Sequence, residues 1–275
     1  PNKTLNIALA GTGVGKSLFM CHHASSVLLQ GRNVLYITME MAEEKIAERI
    51  DANLLNVPIQ DLTDLPKPMF DKKITNLSKK TQGQLIIKEY PTASAHSGHF
   101  KTLLNELALK KSFRPDIIFV DYLNICASSR YKANSGVNSY SYIKAIAEEL
   151  RGLAVEANLP IVSATQTTRS GFASSDVDLT DTSESFGLPA TADLMFALIS
   201  TEELEELNQI MVKQLKNRYN DPTIFKRFII GIDRSKMRLY DVEQKAQDDI
   251  LDSGQEEEYN DEKAKPKKSF AEFKF

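Results

Sequence analysis

At 275 residues, with 42% hydrophobic and 26% charged side chains, the chain has the composition of a globular protein able to bury a sizeable core. No apolar run approaches the roughly eighteen residues of a membrane helix and no secretory leader opens the chain, so a membrane-spanning or exported protein is not expected. The net charge of −3 is uneven: residues 241–275 carry 11 acidic and 6 basic side chains, and the rest is nearly neutral, which neither announces nor excludes a nucleic-acid partner.

Cys21 and Cys126 lie far apart without metal-ligand spacing and read as buried, reduced thiols of a cytoplasmic protein. The chain starts at Pro1, without methionine and just ahead of an apolar strand, which suggests a longer parent chain.

The first predicted strand, LNIALA (5–10), runs into AGTGVGKS and then into a helical pattern, KSLFMCHHASSVLLQ. A phosphate-cradling loop is ordinarily written G-x-x-x-x-G-K-[ST]; here its first position is Ala10, while Gly15, Lys16 and Ser17 close it as usual. Gly11, Gly13 and Gly15, with Thr12 and Val14 between them, free the backbone to turn its N–H groups inward on phosphate oxygens. The helix start adds the positive end of its dipole, Lys16 reaches the terminal phosphates and the Ser17 hydroxyl goes to Mg²⁺. A small residue with negative φ suffices at the strand end, so Ala10 is no veto. His22 and His23 on this helix are read as packing or surface residues.

A second strand, NVLYIT (33–38), leads to Glu40, expected one strand over from the loop. There it is a candidate to orient the attacking water, although a lone Glu at a strand end is ordinarily solvated. The following helix, EEKIAERIDANLL, holds Arg49 and Asp51, in which no chemistry is read. LIIKEY (85–90) is the third strand; His96 and His99 flank the start of the helix HFKTLLNELALKK, and their spacing alone does not make a metal site. DIIFVD (116–121) places Asp121 at the end of an apolar strand, where a triphosphate site needs an acidic partner for its metal.

A polar loop (128–140) and the helix YSYIKAIAEELRGLAVEAN precede the strand PIVSAT (160–165), and Gln166 after it is a candidate sensor of the γ-phosphate. A second polar loop (167–187) leads to DLMFALIS (193–200), a short acidic helix or turn, and hairpin strands in QIMVKQLKNR and FKRFIIGIDRSKMRLYDVE. Strands alternating with helices predict an α/β fold: a mostly parallel sheet flanked by helices, with C-terminal antiparallel strands and its polar candidates at the carboxyl ends of the strands. Residues 1–243 are the expected domain. Residues 244–275 are an expected disordered acidic tail whose end, SFAEFKF, is either frayed or a peptide docking motif.

The segments YITMEMAEEKIAERI, IIFVDYLNI, LPIVSATQTTRS and TDTSESFGLPATADLMFALI are similar in order and spacing to the ATPase domain of ring helicases of the bacterial DnaB type. The likeness covers about residues 4–240 and is strongest to the T-even bacteriophage members. It implies a RecA-like fold and a homohexameric, ATP- and Mg²⁺-dependent replicative helicase that travels 5′ to 3′ on single-stranded DNA, with primase and loader partners. It implies further that Glu40 polarises water, that Asp121 coordinates the metal, and that Gln166 senses the γ-phosphate. Lys216 and Arg218 then resemble the fingers inserted into a neighbouring subunit's site. For DNA, the family's channel loops correspond to the segments carrying Arg130, Lys132 and Arg169. An arginine expected before the E-S-G segment is replaced by Ser183, followed by Glu184; backbone amides at Phe186 and Gly187, or Arg169, stand in for it. The competing expectations are a RecA-type recombinase filament and a nucleotide-gated adaptor without motor activity.

Overall fold

The computed structural model describes residues 1–132, 136–167, 187–221, 224 and 226–243. The expected tail, 244–275, lies outside them. In chain order the elements are β1 (Leu5–Ala10), α1 (Lys16–Leu29), β2 (Val34–Thr38), α2 (Glu43–Leu55), α3 (Lys67–Lys80), β3 (Leu85–Glu89), α4 (Ser97–Lys111), β4 (Ile117–Asp121) and α5 (Ser139–Ala157). They continue with β5 (Ile161–Gln166), α6 (Gly187–Thr191), β6 (Leu194–Ile199), α7 (Glu202–Glu206), β7 (Gln209–Asn217), β8 (Arg227–Asp233) and β9 (Arg238–Asp241).

Among the described residues the nine strands join one sheet in the order β3-β2-β4-β5-β1-β6-β7-β8-β9. The pairings from β3 to β6 are parallel, and β7, β8 and β9 add on antiparallel. Parallel strands covered on both faces read as continuous apolar runs. β2 (VLYIT) and β4 (IIFVD) are accordingly buried at every position.

Alternate residues of β2 serve the two layers. Val34 and Tyr36 pack with Met20 and Cys21 of α1 and Ile46 and Ile50 of α2. Leu35 and Ile37 pack with Phe100 and Leu103 of α4 and Ile146 and Leu150 of α5. The antiparallel strands close a third cluster, in which Val14 and Leu18 meet Ile210, Val212 and Ile232.

Two sequence expectations need correction. β4 and β5 stand between β1 and β2, so Glu40 is not one strand over from the loop. The polar candidates also do not all lie at the carboxyl ends: β7 runs antiparallel, and its register sets Lys216 against Met195 and Asn217 against Leu194, near the start of β6. Lys216 and Arg218 therefore sit at the amino edge of the parallel sheet.

Helix α3 is absent from the sequence expectations. None of its residues is buried; Phe70, Ile74 and Leu77 repeat at helical spacing, but the strip they make is short, and Pro68 in its first turn marks only its start. His96 and His99 have a structural job. His96 Nδ1 accepts from the Gly98 N–H (3.0 Å), and His99 Nδ1 accepts from the His96 N–H (3.2 Å), capping α4. Among the described residues no helix is long and apolar enough to cross a membrane.

His23 is wedged edge-on to Phe119 and Phe19, with ring centroids 5.2 and 5.9 Å away. Its Nδ1 is buried without a hydrogen-bond partner. Burial, followed by the neighbouring His22, lowers its pKa from 6.5 to about 4. Between those values the unfolded chain binds more protons than the folded one. Stability from this site is therefore complete above about pH 6.5 and lost as pH falls toward 4, by about 3 kcal/mol in all. A His23→Leu chain is expected to lose less stability than the wild type between pH 7 and pH 4, measured by urea unfolding at each pH.

Candidate nucleotide site

Ala10 ends β1 in register with Gln166 of β5 and Leu198 of β6. It keeps ordinary strand backbone, so its methyl group is accommodated without strain, and the turn is made further on. Gly13 (φ 82°) and Gly15 (φ 126°) take up the left-handed angles that let the loop reverse into α1. Gly11 and Val14 are buried, Val14 in the third cluster, while Thr12 and Gly13 are exposed on the loop. Lys16 is the first residue of α1; its Nζ donates to the Gly11 carbonyl (3.2 Å) and lies 6.0 Å from the centre of the Tyr122 ring. Arg234, after β8, donates through Nη1 to the Gly13 carbonyl (3.4 Å) and braces the loop from the antiparallel side.

A cleft of about 330 Å³ opens over this loop, with Lys16, Ser17, Glu40, Arg49, Gln166 and Arg234 among its lining residues. A larger apolar cleft of about 640 Å³ lies between α1 and β6–β8 and lacks such a set of charges. Glu40 reaches the phosphate-loop cleft although its strand is three positions from β1. β2 ends at Thr38, and the Met39 N–H donates to the Asp121 carbonyl (3.0 Å), which holds the chain against β4 just before Glu40. Gln166 is held by its Nε2 donating to the Tyr122 hydroxyl (3.2 Å).

Asp121 ends β4 and is 1% exposed beside this cleft. Its Oδ2 accepts from the Tyr36 hydroxyl (2.9 Å), while Oδ1 is buried and accepts no hydrogen bond. Burial raises the carboxyl's pKa; the Tyr36 bond and the Ser17 hydroxyl oppose this, and Glu40 adds to it. Burial likewise lowers the pKa of Lys16, against the pull of Glu40 and Asp121. A buried carboxylate oxygen with a neighbouring serine hydroxyl and no donor of its own suits a hard divalent cation. The residues present therefore fit Mg²⁺, with Ser17 and Asp121 as its protein partners. The loop, Lys16 and α1's amino end fit a polyphosphate.

The sequence expectations missed Arg49, Arg234 and Tyr36. Arg49 lines the cleft, half-buried, without an ion pair or hydrogen bond among the described residues. Its signal was its place nine residues after Glu40 on the next helix, but only the packing of α2 on α1 shows that it faces the loop.

The expected fingers are tied down at the opposite edge of the sheet. Lys216 Nζ donates to the Pro189 and Ala190 carbonyls (2.6 and 3.2 Å), and Arg218 Nε pairs with Asp193 (3.0 Å). Of the expected DNA contacts, Arg130 is exposed and paired with Glu148, and Lys132 is exposed. The base of their loop is fixed by Glu149, which accepts from Ser128 Oγ (2.7 Å) and the Ser129 N–H (2.9 Å). Gly187 is buried at the start of α6, where a Cβ would come within 2.8 Å of the Lys144 side chain. Arg169, Ser183, Glu184 and Phe186 lie outside the described residues.

Residues 1–235 match the family model of the DnaB-like helicase C-terminal domain. The DnaB-like replicative helicase of Enterobacteria phage T4 is 48% identical over 244 residues, covering 88% of this chain and 51% of that protein. A probable plasmid replicative DNA helicase of Chlamydia psittaci is 28% identical over 222 residues, covering 78% of this chain and 46% of that protein. The chain thus spans about half the length of these relatives.

Among solved structures, one of an ATPase domain superposes with a TM-score of 0.73 at 17% identity, covering 88% of this chain and 86% of that one. A DnaB-like replicative helicase, solved in a study of its interactions with primase, gives 0.72 at 16% identity, covering 88% and 58%. At such identities the superpositions speak for the fold, which is RecA-like. With a matched family model over most of its length and a relative at 48% identity, this chain belongs to the DnaB-like helicase C-terminal domain family.

Proposed function

We propose that this chain is the motor domain of an ATP-dependent replicative DNA helicase that works as a ring of six and moves along single-stranded DNA. One observation carries the reading. The phosphate loop, Glu40 and Gln166 line one cleft at the carboxyl edge of the sheet, while Lys216 and Arg218 stand at the amino edge. A nucleotide held in the cleft cannot meet its own chain's fingers, but it can meet those of a neighbour.

Within one site, backbone N–H groups of the loop and Lys16 hold the phosphates of ATP, and Arg49 adds a further cation from α2. Ser17 and Asp121 would hold Mg²⁺, which would neutralise developing charge on the phosphates. Glu40 orients the attacking water, and Gln166, tethered to Tyr122, reports the γ-phosphate to the end of β5. Lys216 and Arg218 of the adjacent subunit complete the site. An arginine supplied in this way is worth roughly 10³–10⁵ in rate.

Loss of the γ-phosphate loosens that grip and lets subunits shift in turn. DNA is gripped through its phosphates, independently of sequence, by the side chains of Lys132, Arg130 and Arg169 and by backbone N–H groups of the 167–187 segment around Glu184, Phe186 and Gly187. Primase and a loader are the expected partners, travel is 5′ to 3′, and the setting is the cytoplasm, that of the host for a phage-encoded chain. The helicase relatives favour this reading over a recombinase filament or a nucleotide-gated adaptor.

Two outcomes test it. With a slowly hydrolysed ATP analogue and a long single-stranded oligonucleotide, native mass measurement is expected to give a discrete species of six chains. Particles growing in proportion to oligonucleotide length would instead support the filament. Separately, Glu40→Gln and Arg218→Ala chains are each expected to bind ATP with hydrolysis at least about 10³-fold reduced. Mixing them is expected to restore measurable turnover, because interfaces form that pair an intact Glu40 with an intact Arg218. No recovery on mixing would refute the shared site.

A further inference from the structure

Tyr36 lies fully buried on β2, stacked 5.7 Å from Phe119, its register partner on β4. Asp121 is two residues beyond Phe119 and so shares its face of the sheet, the face covered by α1. From there the Tyr36 hydroxyl donates to Asp121 Oδ2 at 2.9 Å. Behind it, Cys21 of α1 sets its thiol 3.9 Å from the same phenol oxygen as a donor. Cys21, Tyr36 and Asp121 thus form a relay running from α1 through β2 to β4, inside the core and away from the cleft lining.

A phenol hydroxyl in a dry core must find a partner, and this one has found one oxygen of the carboxylate expected to face the metal. The bond leaves the two oxygens of Asp121 unequal. Oδ2 is occupied from inside the core, and Oδ1 is left without a donor. We propose that Tyr36 is a positioning residue for Asp121: by engaging Oδ2 it fixes the rotation of the carboxylate and reserves Oδ1 for Mg²⁺. Partners that orient a metal ligand from behind are worth roughly 10–100-fold in metal affinity. This inference rests on the nucleotide-site reading given above.

Tyr36→Phe removes the hydroxyl and keeps the ring, and Tyr36 is not among the residues that line the cleft. The binding of a fluorescent ATP analogue to the 275-residue chain is followed while Mg²⁺ is titrated. The Mg²⁺ concentration at half-maximal binding is expected to rise at least about 10-fold, with recovery at saturating Mg²⁺ and no change in the metal-free affinity. Phe119→Leu, which removes the ring beneath Tyr36 but not its hydroxyl, is expected to leave the Mg²⁺ requirement unchanged. If Tyr36→Phe does not fold, Cys21→Ala, which removes the donor behind the phenol, is expected to shift the requirement in the same direction by less.

An unchanged Mg²⁺ requirement in the folded Tyr36→Phe chain, or in Cys21→Ala where that is the variant read, overturns the proposal. So does an equal shift in Phe119→Leu, since packing alone would then explain it. A wild-type chain that does not bind the analogue at all would instead overturn the nucleotide-site reading itself, and one that binds it without regard to Mg²⁺ would overturn the metal's place in that site.

Discussion

A single carboxylate with no exposed surface, that of Asp193, joins the parts of the sheet that must stay in register. Its Oδ2 accepts the Leu5 N–H at the start of β1 (3.0 Å), and its own N–H donates to the Leu5 carbonyl (2.9 Å). Arg151 of α5 grips it from one side through Nε and Nη2, and Arg218 at the exit of β7 grips it from another. A buried carboxylate is tolerated only when its oxygens are this fully engaged, and removing one partner of such a cluster ordinarily costs about 3–5 kcal/mol. The first strand, a long helix and the candidate finger are therefore indexed to one another through one side chain. The phosphate loop leaves β1 five residues after Leu5, so its position inherits that indexing. Two guanidinium groups share one carboxylate, and Lys216 stands beside them, which leaves this edge with an excess of positive charge. An excess of this kind is suited to a neighbour's phosphates.

At the other edge the balance is set by desolvation. Burial works against the charged forms of Lys16 and Asp121, and the Glu40 carboxylate favours the charged lysine while opposing the charged aspartate. Lys16 folds back on the loop's own carbonyls, and Arg49 makes no ion pair among the described residues. Cations gathered around such a loop would be stabilised by an incoming polyphosphate, as the proposed function requires. Cys21, whose thiol burial pushes up to about 12, contributes packing and a weak donor and is no nucleophile here.

Much of this was legible in the chain because the signals are local. Apolar runs such as VLYIT and IIFVD are strands whatever their neighbours, and the glycines of AGTGVGKS state the turn they make. Four segment resemblances then gave the family. What sequence could not give was adjacency. Strand order is set by crossovers, so the separation of Glu40's strand from the loop by β4 and β5 leaves no mark near Glu40. Arg49 looked like any helix-surface arginine until α2 was packed on α1. Tyr36 looked like one more apolar core residue until β4 brought Asp121 beside it. Helix α3 escaped for another reason: Phe70, Ile74 and Leu77 follow helical spacing, but the strip is short and none of its residues is buried.

The reversal of direction at β7 is what separates the candidate fingers from the phosphate loop. Through the β1–β6 and β6–β7 pairings, Lys216 stands level with Ile7 and Asn217 with Asn6, so Arg218 emerges near the level of Leu5. From there to Ala10 is five residues of extended chain, about 17 Å at strand rise, and the phosphate loop begins only beyond that point. No lysine or arginine side chain spans such a distance. Had the last strands joined in parallel, the end of β7 would lie at the loop's own edge, and one chain would hold a complete site. With β7 antiparallel, the cations at its end are exported to the opposite face of the subunit. On the function proposed above, completing the site requires a second copy placed with its amino edge against the first copy's carboxyl edge. Such a head-to-tail contact repeats from copy to copy, and it closes into a ring when the rotation between neighbours allows.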